Sequence, residues 1–522
     1  MVTLVAEPPA PAPLDAPAPV EPARETRRHA VRQLLDDRGL CAVLVAVVIW
    51  CAVMYLHVWR RHDRFGTFAH DLGFHDHYVW LLARGWGLSD VLGLHAFGHN
   101  ATFGYLLLAP LSWLGLGPQG LNLILTVAVG LGAVPLYLLA RDRLGDPWRA
   151  APLGLVWLLH PIVQGNVWET FHPEALAMAP LLAAYLCASR RRWRPFALWI
   201  LVALIWKSDV ALFVAMLGVL IAIRWDRRIG VRTLVIGLAW FAITVGWMIP
   251  HAAGGGTVFG PLYGDLGDSP TDVAKTAITD PTDVGGRVVE HRPVQYGRDL
   301  VAPFAFLPLL SPGPLLLAAP QAVVNLLSGA EFTRIWTDSP HYQALPVVAM
   351  ALALVETIGR LNRRRPVWAG RAIGLAMAAA IAGTVAWGSL PPLATQQAHY
   401  WPADGDPARG AKEEAVSLIP GDAAVTAHYL FVPHLTHRRT VFTFPNPWVA
   451  SYYGVEETKL PEPTRVEVLL MDVSLLDPND QALWDCLTDS GAFFEVFDRD
   501  GIVLGQRRPG ADADLACAAT QS

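Results

Sequence analysis

The sequence predicts an α-helical polytopic membrane protein of about eleven transmembrane helices, followed by a small C-terminal α/β extracytoplasmic domain. Three observations carry this reading. Hydrophobic residues make up 53% of the chain and charged residues only 16%, with a mean hydropathy of +0.35, whereas a soluble domain carries about 25% charged residues. Arginine recurs in short loops between long apolar runs. Beyond residue 391 the long runs give way to short alternating ones.

Residues 1–23 are rich in Ala, Pro and Glu and cannot bury enough apolar surface to fold, so the segment 1–38 reads as a disordered cytoplasmic N-terminus. The apolar run 40–59 follows a basic stretch, is too long for a signal-peptide core and lacks a small-residue cleavage site. It reads as a first spanning helix with the N-terminus inside. The loops containing Arg141, Arg143 and Arg149, then Arg190 to Arg194, Arg224 to Arg232, and Arg360 to Arg371, all fall inside by the positive-inside rule. Parity then allows only one crossing between residues 60 and 141. The run 119–140 is the cleaner candidate, and 101–116, with Pro110 and several glycines, reads as a juxtamembrane or re-entrant helix. Further spans are expected at 149–166, 174–188, 196–207, 209–224, 233–250, a hairpin over 300–328 broken by Ser311-Pro312-Gly313-Pro314, then 342–358 and 372–390. Large outer loops are left at about 60–118 and 251–299. In the C-terminal domain, 392–508, the helical stretches ARGAKEEAVSLI and NDQALWDCLTDSG alternate with AAVTA, TVFTF, VEVLLMDV, FFEVF and GIVLG. Residues 509–522 read as a loose tail.

The polar residues collect on one side. Of 17 histidines only His29 falls on the predicted inner side. The first outer loop contains HDLGFHDHYVW, in which Asp71 and Asp76 lie close to the membrane surface, where a carboxylate can serve as general base or hold a metal. His70, His75, Asp76 and His77 are candidate ligands for a divalent metal, with Asp71 beside them; a solvated amphipathic helix would show the same spacing. The second loop, GNVWETFHPEALA, crowds Glu169, His172 and Glu174 around Pro173 at a helix start, where a glutamate also suits the helix dipole. In IWKSDVAL, Lys207 and Asp209 interrupt an apolar stretch. Only four of the 40 basic residues are lysine, and charges at membrane depth pair or serve function. Lys207 can bind phosphate as a point charge or snorkel to the interface.

Other classes find no support. The net charge of −5 gives no case for nucleic-acid binding, and there is no Walker loop, GxSxG or HExxH. Cys41, Cys51 and Cys187 lie in apolar segments, while Cys486 and Cys517 share the outer compartment and are expected to form a disulfide.

DLGFHDHYVW, HNATFGYLLLAPL, PLYLLARDRLG, WETFHPEALA, KSDVAL and SPHYQALPVVAMALAL together resemble the bacterial membrane-protein family known as domain of unknown function 2079, in order across most of residues 60–508. The family usually carries an acidic residue where this chain has Ser208, and usually lacks histidines at 75 and 77. It is in turn similar to the type C glycosyltransferase (GT-C) superfamily, whose enzymes take a sugar from a polyprenyl phosphate. Those relatives often show a paired Asp-Glu in the first outer loop, whereas here Asp71 is followed by Leu72. The resemblance implies glycosyl transfer at the outer face of a bacterial plasma membrane, to an acceptor the sequence does not name. Asp71 would be the base, with Asp76 as the alternative. Lys207, with Arg298 or Arg334, would hold the donor phosphate, while Glu169, His172, Glu174 and His341 line the sugar pocket and Asp209 pairs with Lys207. The rival class is a non-catalytic membrane protein, a lipid or polysaccharide transporter or an assembly factor on the same fold. Transporters typically show paired repeats with helices broken at the midplane, and no clear repeat is present here.

Overall fold

The computed structural model describes residues 36–254, 260–267, 270–335, 337, 339–390, 406–451 and 461–519. The N-terminal segment read as disordered lies almost wholly outside these. Among the described residues, five helices are long and apolar enough to cross a membrane: Arg38–Asp63, Gly117–Leu144, Arg227–Ala252, Pro340–Arg364 and Pro366–Trp387. Five shorter apolar helices accompany them, Gly104–Trp113, Pro173–Ser189, Trp193–Leu204, Val210–Arg224 and Pro312–Leu327. The protein is therefore a largely helical membrane protein.

Local chemistry sets the helix ends. Asp37 accepts from the Leu40 amide, from the Tyr137 hydroxyl at 2.6 Å and from Arg141, so one carboxylate caps the first helix and ties it to the second. Asp146 and Asp226 cap Pro147–Leu159 and Arg227–Ile243 through two amides each. Pro340–Arg364 is the central helix, buried nearly all round, with small residues letting its neighbours approach. Arg38–Asp63 and Pro366–Trp387 instead expose apolar faces such as Val45, Val48, Ile49, Leu375 and Ile381, as lipid-facing helices must.

Two expectations change. Residues 149–166 form two helices, Pro147–Leu159 and Pro161–Trp168, broken at His160, whose extended backbone is favoured before Pro161. The hairpin over 300–328 is a chain of short helical turns, because Pro303, Pro308, Pro312, Pro314 and Pro320 each remove a backbone donor. A third keeps its expected form: Gly104–Trp113, ten residues long, reaches only about 15 Å and is too short to cross, as a juxtamembrane or re-entrant helix would be.

Residues 406–519 carry a five-stranded sheet in the order Val441–Thr443, Val425–Ala427, Val468–Asp472, Ile502–Arg507, Phe493–Arg499. The first three strands are parallel (Val425 opposite both Val441 and Val468) and buried throughout, the pattern of a sheet covered on both faces. The last two join antiparallel, and the edge strand Phe493–Arg499 is mostly exposed. Cys486 and Cys517 form a disulfide. The tail expected to be loose is held through Ala519 by this bridge, by the short helix Leu515–Ala519 and by buried Asp514, which accepts from Arg507 and from the Trp448 indole.

The sheet unit docks on the loop after the first helix. The Ala69 amide donates to the Tyr429 carbonyl, His62 stacks on His434 at 4.2 Å, and Arg409 pairs with Asp63 at 2.7 Å.

Candidate active site

One cavity of about 930 Å³ gathers Arg61, His70, Asp71, His75, His99, Glu169, His172, Glu174, Lys207, Asp209 and His341. Seven residues predicted for catalysis or substrate binding, Asp71, Glu169, His172, Glu174, Lys207, Asp209 and His341, are thus brought together from four chain segments far apart in sequence.

Asp71 sits in a π-helical turn, Ala69–Gly73, that runs into the helix Phe74–Leu82. The wider turn aims the carboxylate at the cavity, where Oδ1 is 3.5 Å from His172 Nε2. The His172 ring lies face to face with that of His341, centroids 4.1 Å apart and planes within 8°. His341 Nδ1 bonds Glu169 Oε1 at 2.6 Å, and its backbone amide donates to Glu169 Oε2 at 2.9 Å. The result is two carboxylate–imidazole pairs stacked on each other. Glycine makes the second pair reachable: a Cβ on Gly165 would stand 2.9 Å from the Pro340 ring, so only glycine lets Pro161–Trp168 approach that turn. Asn166 fixes the approach by donating to the Pro340 carbonyl at 3.0 Å.

Burial disfavours protonation of His172, but the charges of Glu169 and Asp71 outweigh it and raise the imidazole to about 9. Burial would raise the Asp71 carboxyl, yet its hydrogen bond to His172 and the nearby cations hold it below the usual range. Asp71 is therefore ionised and His172 protonated at neutral pH.

Lys207 lies in the turn between Trp193–Leu204 and Val210–Arg224 and donates to Glu174 Oε1 at 2.7 Å, with Asp209 at 3.7 Å and the Tyr342 ring at 5.8 Å. Arg61, in the last turn of the first helix, was missed because the helix was expected to end at residue 59. It donates to the Gly66 carbonyl at 2.6 Å and to the Trp168 carbonyl, and lies over the Trp168 ring. The basic cluster Arg60–Arg61 in the sequence was its only signal. His99 also lines the cavity and is bonded to Asn100 at 2.8 Å.

Several candidates stand elsewhere. Asp76 is buried against the sheet unit, accepting from Thr436 Oγ1 at 2.5 Å and bonded to His437 Nε2 at 3.1 Å. His77 bonds Ser89 at 2.8 Å and the Arg438 carbonyl at 3.1 Å. His75 faces the cavity but is bonded to the Tyr105 hydroxyl. Successive helical residues diverge by about 100°, so Asp71, His75, Asp76 and His77 do not converge on one metal. Arg298 is exposed and paired with Asp299, and Arg334 is spent on the Ser328 carbonyl. Neither lines the cavity.

Glu169, His172 and His341 each place a ligand atom within 4.8 Å of the others. Parallel stacked rings send their in-plane lone pairs side by side rather than to one point, so this arrangement does not fit a shared ion.

The opposite wall is apolar: Leu212, Phe241, Val245, Leu262, Val273, Val323, Val324 and Leu327. The cavity is thus half charged and half apolar and lies at one end of a helical bundle. The chain resembles the crystal structure of ArnT from Cupriavidus metallidurans bound to undecaprenyl phosphate, with a TM-score of 0.51 and 15% identity over 89% of this chain and 98% of that one. The apo state of the same protein gives 0.45 and 16% over 91% and 99%. The apo oligosaccharyltransferase from Archaeoglobus fulgidus gives 0.40 and 12% over 91% and 75%. No curated protein matches. Residues 61–504 match the family described as "Predicted membrane protein (DUF2079)", and the chain belongs to that family.

Proposed function

We propose that this protein transfers a sugar from a polyprenyl-phosphate donor to an acceptor at the extracytoplasmic face of the membrane. The observation that carries the reading is Asp71, ionised and facing a cavity whose other wall is apolar. The fold similarity to ArnT, solved with undecaprenyl phosphate, supports the donor class. The polyprenyl chain would lie along Val245, Val323 and Val324, with the sugar among Glu169, Glu174 and His341. The acceptor hydroxyl hydrogen-bonds to Asp71 and gives it a proton as its oxygen attacks the anomeric carbon. The bond from that carbon to the phosphate oxygen breaks, and the phosphate leaves with the electron pair. Protonated His172, Arg61 and Lys207 offset its charge. Lys207 already answers two carboxylates, so Arg61 and His172 carry more of this task than the sequence suggests. No step passes through a metal.

The topology that goes with this reading has about eleven crossings, the N-terminus inside and residues 406–519 outside. Single cysteines near Arg191 should label only from the cytoplasm and those near Asn479 only from outside. For the chemistry, the purified protein in lipid nanodiscs is offered a panel of polyprenyl-phosphate sugars. Saturable donor binding, lost when the apolar wall is blocked by Val324→Trp, is the expected result. No binding by any member would return the reading to a non-catalytic membrane protein.

A further inference from the structure

A second cavity, of about 330 Å³, lies at the other end of the bundle and is lined by Asp142, Arg143, Arg224, Trp225, Glu356 and Arg363. Asp209 and Arg224 bracket one helix, and His341 and Glu356 mark another, so some 15 residues of helix, about 22 Å, separate the two cavities. The carboxylates here are already engaged. Asp142 takes two bonds from Arg190, at 2.7 and 2.9 Å. Glu356 is held by Arg143 at 2.7 Å and by the Tyr185 hydroxyl at 3.1 Å. Arg224 and Arg363 have no hydrogen-bond or carboxylate partner among the described residues. The fold makes room for one of them: a Cβ on Gly313 would stand 2.2 Å from Arg224 Nη2. Two guanidinium groups with no carboxylate of their own, lining one concavity beside the Trp225 indole, suit a tetrahedral oxyanion.

We infer that this cavity binds a phosphate-bearing anion at the arginine-rich end, which the charge pattern assigns to the cytoplasm. The shared chemistry is a phosphate ester, carried either by an anionic lipid headgroup of that leaflet or by a free phosphorylated molecule. The inference does not depend on the sugar-transfer reading, because no residue is common to the two cavities.

Native mass spectrometry of the full chain with dioctanoyl phosphatidylglycerol tests it. The wild-type protein should retain one tightly held lipid. R224Q/R363Q should bind it at least about tenfold more weakly, the loss of one charge-assisted contact or more. R192Q/R194Q, exposed arginines outside the cavity, should leave it unchanged. Should R224Q/R363Q fail to purify, R224K/R363K replaces it; lysine keeps the charge but not the fork, so binding should weaken partially. Displacement by millimolar inorganic phosphate assigns a free phosphate as the natural source, and resistance to it assigns the headgroup. Equal losses in both double variants would mean surface attraction only, and no loss in the cavity variant would also overturn the site.

Discussion

Asp71 and Asp76 lie five residues apart on one loop and do opposite work. Asp71 occupies a π-helical turn, keeps part of its surface open to the cavity and faces a protonated imidazole across 3.5 Å. Asp76 lies within the following helix, is nearly fully buried and has its Oδ2 held by the sheet unit through both Thr436 and His437. Identical chemistry next to the same membrane helix therefore yields one candidate base and one structural rivet. What separates them is access to open space and a partner that can give up its hydrogen bond, neither of which residue type reveals.

The sharpest way to break this contrast is Asp71→Asn. The near-isosteric amide should leave the thermal unfolding midpoint close to wild type while sugar transfer falls by about 10²–10⁴-fold; retained transfer would move the base elsewhere. Lys207→Ala should instead strike stability. It leaves Glu174 buried beside Asp209 without its hydrogen-bonded cation, and breaking such a pair costs about 3–5 kcal/mol. Thermal unfolding in nanodiscs reads the loss, and Lys207→Ala combined with Glu174→Gln should recover part of it. Asp76→Ala should cost about 1–3 kcal/mol, the price of two stranded donors, with transfer at permissive temperature close to wild type. A transfer defect as deep as that of Asp71→Asn would erase the distinction between the two carboxylates.

The smallest effect is in pH. The His172 imidazole is raised from 6.5 to about 9, so its contribution to stability is complete below about 6.5 and is lost as the pH climbs through 9. The unfolding midpoint should decline across that window in the wild type and less so in His172→Gln. A flat difference between the two curves would mean that His172 is not charged by its carboxylate neighbours.

Much of this was legible in the chain. The apolar runs at 40–59 and 119–140 and the positions of all five C-terminal strands follow from hydropathy and alternation, which are local properties. Charges that interrupt an apolar stretch pointed to Lys207 and Asp209, because an isolated charge there must find a partner; the crowding of Glu169, His172 and Glu174 around Pro173 marked the second loop, and His341 came only with the family resemblance. What was not legible is long-range or rotational. Which way Asp76 and His77 turn depends on a sheet unit some 360 residues later. The spent state of Arg334 depends on its own turn closing onto Ser328, and the run 300–328 hid its broken geometry behind a hydropathy that five prolines do not lower enough to register. Arg61 was lost to a helix end misplaced by four residues, the kind of boundary that periodicity locates least well.

The apolar wall of the large cavity is short. From Leu212 to Leu327 it is built of eight side chains on five separate helical segments, and a hydrocarbon tail longer than this wall would run on into the bilayer. Burying each methylene against protein rather than water is worth about 0.8 kcal/mol, but trading lipid for protein is worth little. A ruler follows from this: donor affinity measured in lipid should rise over the first few isoprene units and then level off. The protein would then read the head and neck of its donor and remain indifferent to the length of the tail.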